Sequence, residues 1–138
     1  MHLITGRFRL LFALSIAGLL FAGYLSGVKL FSEVCALNEP CPYFLGYPAC
    51  YYGFAMYAVM TILLTQYFWG ALTRSMALNA LKVVSGAGIL FSGYFTLQEL
   101  PRLFAEGFSS YVLGLPTCAY GLLVYIAIFS IAFAAHRE

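Results

Sequence analysis

The chain has 138 residues, a formal net charge of +2 and an apolar composition: 63% of its residues are hydrophobic, 9% are charged and none is Asp. A water-soluble domain needs charged side chains at about a quarter of its positions, so lipid has to act as the solvent. The Lys and Arg residues are scattered near the ends of apolar runs, and no basic patch of the kind a nucleic-acid backbone requires is formed.

Four stretches predict membrane-spanning helices. The first runs from Leu10 to Val28 without a charge. Arg7 and Arg9 ahead of it look like the start of a signal peptide. However, Leu20-Phe21-Ala22-Gly23-Tyr24 has a counterpart in Leu90-Phe91-Ser92-Gly93-Tyr94, so the segment is read as a retained span. A loop with Lys29, Glu33, Cys35, Glu39 and Cys41 follows. The second span runs from Cys50 to Thr73. The third runs from Val83 to Gln98, or from Met76 if Lys82 snorkels to the interface. A loop with Glu99, Arg102 and Glu106 leads to the fourth, Phe108 to Ala135. A span needs roughly 20 apolar residues and pairs every backbone amide within its own helix. The expected fold is therefore an all-α integral membrane protein, a four-transmembrane-helix bundle in a single domain, 1–138.

Orientation follows the Lys/Arg bias of the short loops. Arg7, Arg9, Arg74, Lys82 and Arg137 fall on one side, and Lys29 and Arg102 on the other. The richer side is expected in the cytoplasm, with both termini. All four cysteines then lie on the outer side of a multi-pass protein in the cell membrane, where disulfides persist if the cell is bacterial.

The chain reads as two copies of one unit. Tyr43-Phe44-Leu45-Gly46-Tyr47-Pro48-Ala49-Cys50-Tyr51-Tyr52-Gly53, closing at Tyr57, matches Tyr111-Val112-Leu113-Gly114-Leu115-Pro116-Thr117-Cys118-Ala119-Tyr120-Gly121, closing at Tyr125. Each repeat, about 1–70 and about 71–138, is a helical hairpin. Two spans per copy make the repeats parallel, related by an axis along the membrane normal. Gly46 and Gly114 permit a sharp turn, and Pro48 and Pro116 suit the first helical position. Cys50 and Cys118 then fall near the third helical position, where free N–H groups and the helix dipole stabilise a thiolate. Gly18, Gly23, Gly27, Gly53, Gly88, Gly93 and Gly121 lie inside spans and read as close-packing positions.

On the outer side only cysteine offers covalent chemistry. His2 and His136 fall on the opposite side, and no His/Cys/Asp/Glu cluster supports a zinc site. Three pairings of four cysteines are possible. Cys35–Cys41, confined to one loop, with Cys50–Cys118, at matched positions of the repeat, is favoured. A mixed pairing of Cys35 or Cys41 with Cys50 stays open.

The loop pair Cys35 and Cys41, followed by Gly46-x-Pro48, Gly53 and Tyr57, resembles the bacterial vitamin K epoxide reductase-like proteins over roughly residues 20 to 60. The resemblance implies a loop cysteine pair that exchanges with an outer thiol protein, and an inner pair that exchanges with a quinone. Cys35 and Cys41 match the loop pair, and Cys118 stands where an inner cysteine is expected. The family's inner C-x-x-C is missing, because no second cysteine follows Cys118. Cys50 at the symmetric position is the substitute. Tyr52 and Tyr120 are candidate quinone contacts. Two other readings compete: a non-enzymatic subunit of a larger membrane complex with structural disulfides, and a Cu(I) site at Cys50 and Cys118 with Met56 nearby.

Overall fold

The computed structural model describes residues 2–32, 43–44, 46–106 and 117–137. The described residues are almost wholly helical. Helices α1 (His2–Ser32), α2 (Ala49–Phe68), α3 (Arg74–Glu106) and α4 (Thr117–Arg137) account for most of the chain. Strands β1 (Tyr43–Phe44) and β2 (Tyr47–Pro48) form a two-residue antiparallel ladder ahead of α2, pairing Tyr43 with Pro48 and Phe44 with Tyr47.

Three of the four helices, α1, α3 and α4, contain segments long and apolar enough to cross a membrane. The helices α1 and α3 have 31 and 33 residues. At 1.5 Å per residue each is about 46–50 Å long, well beyond a hydrocarbon core of about 30 Å. Both therefore continue past the apolar stretches visible in the sequence. The helix α3 runs through Pro101, whose ring nitrogen removes one hydrogen bond without ending the helix.

The connection from α2 to α3 follows from local chemistry. Gly70 takes a φ of 83°, which costs a glycine little. Its N–H donates to Tyr67 O at 3.0 Å, and the Ala71 N–H reaches back to Gln66 O at 2.9 Å, closing the end of α2 in the manner of a Schellman motif. Thr73 then caps α3, its Oγ1 accepting from Met76 N at 3.3 Å.

Neighbouring helices run antiparallel. The packing is closest between α1 and α2 and between α3 and α4, with narrower seams between α2 and α3 and between α1 and α4. The start of α1 meets the end of α2, where the rings of Phe8 and Tyr67 stack at 4.0 Å. The start of α3 meets the end of α4, where the Arg74 guanidinium donates to Ala135 O. The core between the helices contains Phe8, Leu11, Met60, Leu64, Leu81, Tyr125 and Ile128. The opposite faces are apolar too. Met76, Val83, Leu90, Leu97 and Phe104 recur every seven residues along α3, and each is more than half exposed. A water-soluble monomer rarely exposes so long an apolar stripe, whereas in a bilayer the lipid chains cover it.

Candidate functional site

The two helices that carry inner cysteines begin alike. Cys50 is the second residue of α2 and Cys118 the second of α4, one place earlier than the sequence pattern implies. The reason is visible at Pro48, which pairs with Tyr43 in the ladder and leaves Ala49 as the first helical residue. Gly46 makes the expected sharp turn, with a φ of 87°. The side chains of Cys50 and Cys118 lie outside the described residues, as do Cys35 and Cys41 altogether, so the disulfide pairing is not among the described geometry.

Two turns further into each helix stand Tyr57 and Tyr125. Both are buried, 2% and 1% exposed. Their rings stack across the diagonal of the bundle with centroids 4.5 Å apart and planes inclined by 9°. The Tyr57 hydroxyl donates to Gly121 O at 3.1 Å, and the Tyr125 hydroxyl donates to Gly53 O at 3.4 Å. Each ring also packs closely against a glycine of its own hairpin: a Cβ on Gly18 would come within 2.3 Å of Tyr57, and one on Gly88 within 2.5 Å of Tyr125. Only residues without a side chain let α1 and α3 approach this closely.

The candidate quinone contacts are placed differently from one another. Tyr52 is half-buried, its ring 5.5 Å from Phe91 on α3. Phe91 packs edge-on against Phe95 at 4.9 Å, and Phe95 against Tyr94 at 5.2 Å. These four rings form an aromatic row beside the cysteine ends of the helices. Tyr120 is half-buried on α4. Met56, the third member of the Cu(I) reading, packs against the core. Among the described residues no three His, Cys, Asp or Glu side chains stand together.

In the sequence, Tyr57 and Tyr125 stand only as the closing letters of a repeated motif. The signal was present: both close the same pattern, and Gly18 and Gly88 occupy matching places in the two halves. What the sequence could not supply is that the two tyrosines meet. No protein-family model matches the chain, and no curated protein or solved structure matches it.

Proposed function

We propose that the chain is a four-span membrane protein built from two parallel hairpin repeats, and that it acts as a thiol–disulfide oxidoreductase of the vitamin K epoxide reductase-like type. Support for the repeat comes from the paired burial of matched positions. Leu11 and Leu81, Ser15 and Ser85, Met60 and Ile128, and Leu64 and Ala132 are all fully buried. The fourth span is α2, whose 20 residues are diluted by tyrosines, threonines and Gln66. Its Thr61 and Thr65 hydroxyls donate to Tyr57 O and Thr61 O, both at 2.8 Å, so both hydroxyls are satisfied within the helix.

The observation that carries the redox reading is the stacked pair Tyr57–Tyr125. It marks the inward face of α2 and of α4. Position 50 precedes Tyr57, and position 118 precedes Tyr125, by seven residues, about two turns and about 10.5 Å. Positions 50 and 118 therefore stand at matched places on α2 and α4, and the proposal takes their thiols to meet at the axis. In the proposed cycle, the Cys35 and Cys41 thiols form as an outer dithiol protein is oxidised. They reduce the Cys50–Cys118 disulfide by exchange. The resulting inner dithiol passes two electrons and two protons to a quinone, giving a quinol and closing the disulfide again. The row at Tyr52, with Tyr120 across the axis, supplies flat apolar surfaces for the quinone ring.

The test is quinone-dependent oxidation of a dithiol by the purified protein, with Cys50→Ala and Cys118→Ala alongside. The proposal expects activity in the parent and loss in both variants. A second reading, a non-enzymatic subunit, is favoured by the heptad stripe on α3, which suits the seam of another membrane helix. Inactivity of the parent, with disulfides that resist reduction, decides for it.

A further inference from the structure

The end of the bundle away from the cysteines carries an unusual group of side chains on α3 and α4. Lys82 extends its ammonium to within 3.2 Å of His136 Nδ1. The same ammonium lies 5.9 Å from the centre of the Phe133 ring, and the Arg137 guanidinium lies 4.6 Å from it. One phenyl ring thus gathers two cations, one of which also meets an imidazole. Arg74, the first residue of α3, adds a third cation at this end of the bundle and donates to Ala135 O on α4. Among the described residues no Asp or Glu stands at this end; Glu138 lies outside them.

Among the described residues no carboxylate accepts from these donors. With Nδ1 accepting from Lys82, the imidazole presents Nε2–H. Lys82 retains further N–H bonds, and the Arg137 guanidinium has five donors in a planar fork. Cation–π contact with Phe133 fixes the two cations without neutralising them. His136 and Arg137 are exposed. Apolar surface adjoins the group: Phe133 is 44% exposed and Val83 is 72% exposed. An anion with several oxygens and an attached hydrocarbon satisfies both parts.

We infer that Lys82, His136 and Arg137 form a binding site for the phosphate of an anionic membrane lipid, with its acyl chains lying along Val83 and Phe133. The site depends on the membrane reading but not on the redox chemistry, so the two fail separately. A lipid is the favoured source of the phosphate because the donors sit at the edge of a face that hydrocarbon covers.

The experiment is native mass spectrometry of the full chain in detergent, titrated with phosphatidylglycerol or phosphatidylcholine of the same acyl chains. Phosphatidylglycerol is expected to stay bound where phosphatidylcholine is lost. Each of Lys82→Gln and Arg137→Gln should weaken phosphatidylglycerol binding about fivefold. Arg9→Gln, an exposed cation on α1, should not. Circular dichroism confirms that the variants fold. Equal retention of the two lipids overturns the inference. So does an equal loss in Arg9→Gln, which would mean general charge attraction. Displacement of phosphatidylglycerol by inorganic phosphate at matched concentration overturns it as well, since the site would then belong to a soluble anion.

Discussion

Tyr57 and Tyr125 stack face to face at 4.5 Å and each donates its hydroxyl to a glycine carbonyl of the helix that carries the other. The arrangement is reciprocal, so each ring is held by the helix it packs against. Replacing either tyrosine by phenylalanine keeps the stack and removes one hydrogen bond. In a membrane core such bonds contribute about 0.6 kcal/mol on average and up to about 1.7. Tyr57→Phe and Tyr125→Phe are therefore each expected to lower stability by about 0.5–1.5 kcal/mol in reversible unfolding from mixed micelles. The double variant should depart from additivity, because the rings touch. Strict additivity would show that the two hydroxyls act independently.

The rings need the glycines beneath them. At Gly18 and Gly88 an added Cβ meets carbons of buried rings that are also stacked on one another, so making room for it means shifting a packed ring. Gly18→Ala and Gly88→Ala are each expected to cost about 1–3 kcal/mol, the usual penalty of overpacking. At Gly27 and Gly93 a Cβ meets nothing within 4 Å. Alanine there should be neutral or stabilising by up to about 1 kcal/mol through helix propensity. Unfolding of the four variants under one condition checks the contrast. Equal behaviour of Gly18→Ala and Gly27→Ala would contradict the packing account.

The helical, apolar character of the chain was legible because lipid demands it: charge-free runs predict helices, and α1, α3 and α4 coincide with three of them. The helix ends were less legible. Hydrophobicity stops at about Val28 and Gln98, but backbone hydrogen bonding does not, so α1 reaches Ser32 and α3 reaches Glu106. The turn at Gly46 was legible from glycine and proline chemistry. Meeting of Tyr57 with Tyr125 was not, since it depends on the rotation of two helices that are far apart in sequence. Nor was the grouping of Lys82, His136 and Arg137, which needs the antiparallel packing of α3 on α4.

Orientation in the membrane is open to direct measurement. Ser75 is exposed near the start of α3, and Ala105 is exposed near its end. In a background whose four cysteines are replaced, Ser75→Cys should react with a membrane-impermeant maleimide only after the cells are opened. Ala105→Cys should react in intact cells. This follows from placing Arg7, Arg9, Arg74, Lys82 and Arg137 on the cytoplasmic side. Reversed labelling would put the native cysteines in a reducing compartment and remove the basis for exchange chemistry there.

The proposed exchange chemistry rests on the cysteines, and the tyrosine pair makes their expected pairing specific. A disulfide requires Cα atoms roughly 4.4–6.8 Å apart. Tyr57 and Tyr125 bring α2 and α4 together at one depth, and Cys50 and Cys118 begin those helices at equal distances from them. Mass spectrometry of non-reduced peptides should therefore find Cys50–Cys118, with Cys35–Cys41 as the second bridge. A redox titration adds the functional half. Structural disulfides titrate below about −300 mV, whereas exchange-competent ones yield at higher potential. Cys50–Cys118 should fall in the second group, helped by the free N–H groups at the helix starts that stabilise a thiolate. Trapping a bridge from Cys35 to Cys50 in a Cys41→Ala variant, or from Cys41 to Cys50 in a Cys35→Ala variant, would capture the transfer step, since removing the other loop thiol, which resolves the mixed disulfide, leaves that bridge in place. If Cys50→Ala and Cys118→Ala both retain full quinone-dependent activity, the proposed electron path is wrong.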